Sequence, residues 1–229
     1  MRTLGIFAKQ PVPGRVKTRL AVDWGNERAA AIYECFVRDL LRKFATAGDR
    51  RVLGFAPKVD EARQWFNEAS RQAAAESWTL WPQPELDLGR RMAGYFERWT
   101  ESAEHRTILI GSDSPSLPVE YLDQAWQLLK TNDCVIGPAT DGGYYLIGLR
   151  GTVADFDAPF RNVEWSTAGV LAQTVGQLKQ HGLSLGLLPP WYDVDSVESV
   201  VTLTGHLAAS EHSGNPSGLP ATLQFLNIQ

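Results

Sequence analysis

The chain has 229 residues, of which 44% are hydrophobic and 21% are charged, and its formal net charge is −4. This composition predicts one α/β domain with a buried core, or at most two small domains, and the acidic balance argues against a nucleic-acid binder. The two cysteines form no CxxC pair, and no apolar run reaches the roughly 20 residues of a membrane helix, so we expect a cytoplasmic protein without nucleic-acid or membrane partners.

Short apolar runs alternate with helical apolar stripes along the chain. Strands are predicted over residues 4–8, 51–56, 78–81, 107–110, 134–136, 144–149 and 183–188. Helices are predicted over residues 26–46, from 60 onward, and over 87–102, 118–129, 166–181 and 197–208. This alternation predicts a three-layer α/β/α domain with a mostly parallel sheet. We place that domain over residues 1–210 and a tail over 211–229, in which Leu223, Phe225 and Leu226 are able to dock back.

Unusual polar sequences follow the predicted strands. They occupy residues 9–19, 83–91, 111–115, 138–143 and 193–195. Ligands of parallel α/β sheets bind outside the carboxyl ends of the strands. We therefore expect these loops to converge on one edge of the sheet and to form a ligand site there.

The loop after the first predicted strand is basic. Gly14 allows the backbone to approach a ligand closely, and cations beside exposed N–H groups at a strand end can hold phosphate. The spacing after Gly14 does not match the Walker sequence GxxxxGK[ST]. A phosphate cradle and an ordinary solvated loop are both compatible with this sequence. The basic side chains are those of Lys9, Arg15, Lys17 and Arg19.

Carboxylates follow two of the predicted strands. Asp113 comes directly after a buried strand, where a hard oxygen ligand suits Mg²⁺; an Asx turn or a helix cap is the alternative. Asp193 and Asp195 point the same way in an extended segment, and two such carboxylates repel each other unless a cation or base lies between them. The alternative is that Asp195 or Ser196 caps the last helix.

Two glycine-containing segments have less specific patterns. Asp141-Gly142-Gly143 is typical of a hairpin turn; alternatively, the two tyrosines that follow, Tyr144 and Tyr145, could line a pocket, with one of them facing the core. Gly89 lies near a predicted helix start next to two arginines, where it could reach a base or a phosphate. An ordinary amphipathic helix start is equally compatible with that segment.

Residues 7–20, 111–118 and 137–148 together resemble the DUF2064 family, also called the radical-SAM/selenodomain-associated transferase 1 family. That family is more distantly similar to the nucleotidyltransferases that make molybdopterin guanine dinucleotide and to phospholactate guanylyltransferase. The resemblance covers roughly residues 3–200 and implies a nucleotide-diphospho-sugar transferase fold, GT-A-like and Rossmann-like. The chain departs from the family pattern at Gln83-Pro84-Glu85, where the family often shows Gln-x-Gly.

The resemblance implies a transferase that uses a nucleoside triphosphate or a nucleotide-sugar, Mg²⁺ or Mn²⁺, and a small-molecule acceptor. Asp113 would hold the metal, with Asp195 as a second ligand, and Lys17, Asp113 and Asp141 are the catalytic candidates. Gly142, Gly143 and Tyr144 are the candidates for acceptor binding. A nucleotide-binding regulatory protein that has lost its chemistry is the alternative. The candidates for nucleotide binding are Lys9, Gly14, Arg15, Lys17, Thr18, Arg19, Gly89 and Arg90.

Overall fold

The computed structural model describes residues 1–74 and 78–228, and these form one seven-stranded sheet with helices on both faces. The strands lie within a residue or two of the predicted positions, because each is a short apolar run bounded by polar or turn-forming residues. They are β1 (Arg2–Lys9), β2 (Arg50–Ala56), β3 (Thr79–Pro82), β4 (Arg106–Gly111), β5 (Cys134–Pro138), β6 (Tyr144–Arg150) and β7 (Leu185–Leu187).

The described residues also form eight α-helices and a short 3₁₀ helix (Ala158–Phe160). None of these helices is both long and apolar enough to span a membrane. The α-helices are α1 (Thr18–Trp24), α2 (Asn26–Lys43), α3 (Asp60–Ala74), α4 (Leu88–Trp99), α5 (Val119–Leu128), α6 (Val170–Gln180), α7 (Val197–His212) and α8 (Pro220–Leu226).

The strand order is β3-β2-β1-β4-β6-β5-β7. Every neighbouring pair is parallel except those that involve β6, which runs antiparallel to both β4 and β5. The reversal arises because only a short turn joins β5 to β6, and a short connection permits only antiparallel pairing. The prediction of a mostly parallel sheet is confirmed, and the carboxyl ends of β1 to β5 share one edge.

The sheet separates two apolar cores. Helices α2, α3, α5 and α7 pack on one face, whereas α4, α6 and the 3₁₀ helix pack on the other. Alternation along β1 directs Leu4 and Ile6 to the first core and Phe7 to the second. Each fully buried large side chain contributes about 1.5–3 kcal/mol. The three-layer α/β/α architecture predicted from the sequence is therefore confirmed.

Helix α1 was not predicted from the sequence. Its first residues lie in the basic segment that we interpreted as a loop, and its buried face consists of Leu20. A helix of 7 residues with one buried apolar side chain has no periodic stripe by which the sequence could show it. Lys9 thus ends β1, Arg15 and Lys17 lie in a loop, and Thr18 and Arg19 begin a helix.

The segment after residue 210, which we expected to be a tail, contains helical structure. Helix α7 continues to His212, and α8 packs on α2, where the buried Asp39 carboxylate accepts hydrogen bonds from Ala221 N and Thr222 N. Burial raises the pKa of Asp39, and the hydrogen bonds from Thr222 and Ala221 oppose that rise. Leu223, Phe225 and Leu226 pack against the first core, as the sequence allowed.

Candidate functional site

A cavity of about 580 Å³ opens at the carboxyl edge of the sheet, above the ends of β1 and β4. Loops after β1 and β4 converge there with α4 and with the segment before α7, as the sequence predicted for residues 9–19, 111–115 and 193–195. Its charged lining consists of Lys9, Arg15, Lys17, Arg19, Arg91, Asp113 and Asp195. Its uncharged lining includes Thr18, Tyr33, Gln83, Met92, Tyr144 and Ser166.

Lys17 lies at the centre of this cavity. It precedes α1 in a left-handed conformation (φ 46°, ψ 44°), which is uncommon for a residue other than glycine. Its Nζ donates one hydrogen bond to Asp113 Oδ1 and another, of 2.7 Å, to Asp195 Oδ1. The Lys17 side chain is 2% exposed, whereas those of Asp113 and Asp195 are 51% and 36% exposed. The ammonium group therefore joins the end of β4 to the segment that precedes α7.

The pKa values follow from this arrangement. Burial lowers the pKa of Lys17, but the charges of Asp113 and Asp195 outweigh burial and raise it above its usual value. Burial raises the pKa of Asp195, but Lys17 outweighs burial and the net pKa is lowered. Lys17 is accordingly charged, and Asp195 is an anion available to a cation.

The carboxylates fit a divalent cation that is also bound by phosphate. Within residues 1–74 and 78–228, no group of three or more histidine, cysteine or acidic residues could hold a metal. Mg²⁺ commonly uses one or two carboxylates together with substrate phosphates. Asp113 and Asp195 already converge on one positive charge, and Lys17 engages one oxygen of each. Asp113 and Asp195 are thus placed where they could bind a cation together with phosphate, and the Mg²⁺ or Mn²⁺ site stays a prediction.

A further carboxylate, Asp193, is half-buried beside this pair. Burial first, and then the negative charges of Asp141 and Asp195, raise the pKa of Asp193 to about 6. Three carboxylates thus lie near one another on the segments that follow β5 and precede α7. The repulsion among these three carboxylates is local, and a cation bound beside them would relieve it.

Gly89 and Arg90 do not line the cavity in the described structure. Asp87 caps α4 by accepting a hydrogen bond from Arg90 N at 3.0 Å, and the Arg90 side chain is 72% exposed beside Asp87. Gly89 is packed beneath Trp165, whose ring would lie 2.9 Å from a Cβ at that position. The adjacent Arg91 lines the cavity instead. The nucleotide-binding role expected for Gly89 and Arg90 stays a prediction, and the structure places Arg91 rather than these two residues at the cavity.

The turn over residues 139–143 is the hairpin turn that the sequence allowed. Asp141 Oδ1 accepts a hydrogen bond from Gly143 N at 2.9 Å, and Gly142 N donates to Ala139 O at 3.3 Å. Asp141, Gly142 and Gly143 are absent from the described lining of the cavity, whereas Tyr144 lines it. The roles predicted for Asp141, Gly142 and Gly143 stay predictions.

The family model described as "Uncharacterized protein conserved in bacteria (DUF2064)" matches residues 41–167. The chain belongs to the DUF2064 family. A crystal structure of a candidate nucleotide-diphospho-sugar transferase from Desulfovibrio desulfuricans G20 is 31% identical to it, with a TM-score of 0.84 over 99% of this chain and 96% of that one. A comparison with curated proteins finds no match.

More distant structures share the fold of this DUF2064 protein. A 4-diphosphocytidyl-2C-methyl-D-erythritol synthase from Anaerococcus prevotii DSM 20548 is 8% identical, with a TM-score of 0.59 over 90% of this chain and 98% of that one. A nucleotidyl transferase from Methanothermobacter thermautotrophicus is 11% identical, with a TM-score of 0.57 over 90% and 97%. The DUF2064 protein therefore has a nucleotide-diphospho-sugar transferase-like fold.

Tyr33 is a site residue that the sequence did not reveal. In this DUF2064 protein its hydroxyl accepts a hydrogen bond from Lys9 N at 3.0 Å and is 2.7 Å from Ser112 Oγ, so it ties the end of β1 to the end of β4. Burial, followed by the charge of Asp113, raises the pKa of Tyr33 to about 12, and the hydroxyl stays neutral. Tyr33 belongs to the apolar stripe of α2, where its sequence pattern matches that of an ordinary core residue.

A second cavity of about 730 Å³ lies beside the first, over the ends of β2 and β3 of the DUF2064 protein. Four residues line both cavities: Lys9, Arg15, Gln83 and Arg91. Gln83 is buried, and its Nε2 donates to Gly54 O at 2.7 Å, which fixes the side chain between the cavities. The basic loop and Arg91 thus border both spaces.

Proposed function

We propose that this DUF2064 protein transfers a group from a nucleotide donor to a small-molecule acceptor with the help of a divalent cation. The observation that carries this proposal is the contact of Lys17 with both Asp113 and Asp195 inside a cation-rich cavity. The same position offers a positive charge for phosphate oxygens and carboxylates for a metal. The fold and the membership of the family support this conclusion.

The donor would extend across both cavities. Three of the four residues shared by the cavities are cations, and they would bind the phosphates where the two spaces meet. The base and ribose would then occupy the second cavity, beside the buried Gln83. This placement leaves the first cavity, above β4 and β6, for the transferred group and the acceptor.

Charge neutralisation would supply most of the catalysis, because positioning and electrostatic stabilisation dominate phosphoryl-type transfer. A cation bound by Asp113 and Asp195 would act as a Lewis acid on phosphate oxygens. Lys17 would stabilise the negative charge of the leaving pyrophosphate or nucleoside diphosphate, and Arg19, which lies near Asp195, would add to this effect.

The acceptor would approach from the wall formed by Tyr144 and Ser166. Ser166 has a left-handed backbone (φ 65°) and lines the first cavity opposite the basic loop. Asp141 has a weaker geometric basis for a role in orienting the acceptor hydroxyl, because its side chain is bonded to Gly143 N. Gly142 and Gly143 would act on the acceptor through the shape of the turn.

A thermal-shift screen of nucleoside triphosphates and nucleotide-sugars, with and without Mg²⁺ or Mn²⁺, tests this proposal. A ligand at a hundred-fold excess over its Kd stabilises the folded protein by about 2.7 kcal/mol. We expect a metal-dependent shift that disappears in Lys17→Ala and loses its metal dependence in Asp113→Asn. The exposed Lys130 provides a matched control, so Lys130→Ala should shift like the original chain. No shift with any nucleotide would contradict the proposal.

The released product separates the two kinds of transfer. Release of pyrophosphate identifies a nucleotidyltransferase, whereas release of a nucleoside diphosphate identifies a glycosyltransferase. The solved relative at 31% identity is a candidate nucleotide-diphospho-sugar transferase, so nucleotide-sugars deserve the first assays. A nucleotide that binds without turnover under any acceptor tested would favour the regulatory alternative.

A further inference from the structure

One buried serine joins the two segments that carry the candidate metal ligands. Ser116 is 7% exposed, and its Oγ donates a hydrogen bond of 2.9 Å to Tyr192 Oη. The same Oγ accepts a hydrogen bond of 3.3 Å from Trp191 Nε1. Ser116 follows Asp113 by three residues, and Tyr192 precedes Asp195 by three residues. The serine therefore connects the loop after β4 directly to the segment before α7.

The hydrogen bonds continue to α7 through His206. Tyr192 Oη lies 2.7 Å from His206 Nδ1, which accepts when the ring proton is on Nε2. Burial and then the charge of Lys43 lower the pKa of His206, which favours the neutral ring. Each hydroxyl in the chain then donates once and accepts once, and such chains strengthen their members cooperatively.

A backbone contact joins the same two segments at a second point. Val194 N donates to Asp113 O at 2.8 Å, directly beside the candidate ligands. Trp191 N also donates to Pro138 O at 2.9 Å, which anchors the segment to the end of β5. The described lining of the cavities includes neither Ser116 nor Tyr192. These two side chains lie behind the carboxylates, where they can hold the segments without touching a ligand.

We propose that Ser116 and Tyr192 form a clasp that fixes the separation of Asp113 and Asp195 for a divalent cation. The clasp rests on the proposed function, since it concerns the same cation. Mg²⁺ requires nearly octahedral geometry with ligands at about 2.0–2.1 Å. Two ligands on separate segments need a fixed separation, and the clasp adds side-chain hydrogen bonds to the contacts that Val194 N and Lys17 already make between these segments. Ser116 and Tyr192 are therefore positioning residues.

Titration of the full chain with Mn²⁺ alone, followed by electron paramagnetic resonance of the free ion, measures the effect of the clasp. We expect Ser116→Ala and Tyr192→Phe each to raise the Kd for Mn²⁺ about three- to tenfold, the change that one hydrogen bond provides. Binding of inorganic pyrophosphate without metal should stay unchanged in both variants. The matched controls are Ser70→Ala on α3 and Tyr121→Phe, whose ring packs on Trp191 without joining the hydrogen-bond chain.

Hydrogen exchange at Val194 N separates failure of the clasp from failure of the proposed function. We expect Ser116→Ala and Tyr192→Phe to accelerate this exchange several-fold, whether or not Mn²⁺ is present. If the original chain binds no Mn²⁺ even with inorganic pyrophosphate present, the cation in the proposed function is wrong, and the Val194 exchange still decides the clasp. Unchanged exchange in both variants would overturn the clasp. Faster exchange with an unaltered Kd for Mn²⁺ would overturn its positioning role.

Discussion

The loop after β1 and the turn after β5 both contain glycine at the same edge of the sheet, yet they present their polar groups differently. Lys9 at the end of β1 and the loop residues Arg15 and Lys17 line the cavity with charged side chains. In the turn, the Asp141 side chain bonds to the adjacent Gly143 N. A glycine-containing segment at a strand end can therefore present its polar groups to a ligand only where its own backbone does not use them.

The difference follows from what each segment connects. The loop after β1 leads into α1, which lies over the edge, so its side chains have no strand partner and point toward the cavity. The turn after β5 must reverse the chain within a few residues to reach β6, and its polar groups close that reversal. The two motifs both match the family pattern, but they connect different elements, and their side chains are therefore used differently.

The largest expected effect is on the transfer rate, and it distinguishes a carboxylate of the site, Asp195, from one of the turn, Asp141. Asp195→Asn should lower the transfer rate about a thousandfold, because a lost metal ligand removes several kcal/mol of transition-state stabilisation. Asp141→Asn should lower the rate by less than about threefold, because the asparagine Oδ1 still accepts the bond from Gly143 N. Steady-state kinetics with the donor found by thermal shift measure both variants.

The Kd for Mn²⁺ provides the control for this contrast, and it should rise in Asp195→Asn and stay unchanged in Asp141→Asn. Comparable losses of activity in the two variants would show that the turn takes part in the chemistry. The catalytic role predicted for Asp141 would then stand, and the contrast between the regions would be removed.

The strands and the layers could be predicted from the sequence, because apolar runs and stripes report burial directly. The reversal of β6 could not be predicted, because a strand pattern does not show the direction of the strand. Helix α1 could not be predicted either, because it buries one apolar side chain and so shows no helical periodicity. Lys17 and Asp113 could be singled out by their position after strands, but their ligand roles came from the resemblance to the family and stay predictions. Ser116, Tyr192 and Tyr33 were not assigned site roles, because a polar group bonded inside the protein has no distinctive pattern in one sequence.

The next effect in size is on the free energy of unfolding, and it distinguishes Gly142 in the turn from Gly14 in the loop. Gly142 has φ 94°, and an added Cβ would lie 2.3 Å from Ala168 O. Gly14 has φ 76°, but its nearest neighbour would be the Asn26 side chain at 3.6 Å. We expect Gly142→Ala to lower the free energy of unfolding by about 3 kcal/mol or more, through strain and overlap, and Gly14→Ala by about 1–2 kcal/mol, through strain alone.

Urea unfolding measures both glycine variants, and the affinity for the nucleotide sharpens the comparison. Folded Gly14→Ala should bind the donor more weakly, because the basic loop is displaced, whereas folded Gly142→Ala should bind it normally. Equal losses of stability, or weaker donor binding in Gly142→Ala alone, would contradict the proposal that the loop binds the donor and the turn only shapes the chain.

The smallest effect is expected at Asp193, which couples the two regions because Asp141 in the turn and Asp195 in the site both repel it. Its pKa is raised to about 6, by burial first and then by Asp141 and Asp195. A raised carboxyl pKa means that the folded protein binds the proton more tightly than the unfolded chain does. Between about pH 4 and pH 6, rising pH therefore lowers the free energy of unfolding.

Asp193→Asn should remove that pH-dependent loss. Without divalent cations, the variant and the original chain should differ least below about pH 4, where Asp193 is protonated in both states. Above about pH 6 the variant should gain roughly 1 kcal/mol, after allowance for screening of a half-buried group. Urea unfolding from pH 4 to pH 8 measures the difference, and Asp141→Asn should reproduce part of it by removing one source of repulsion. If the difference in the free energy of unfolding between Asp193→Asn and the original chain stays constant across this range, the pKa of Asp193 is not raised by Asp141 in the turn and Asp195 in the site.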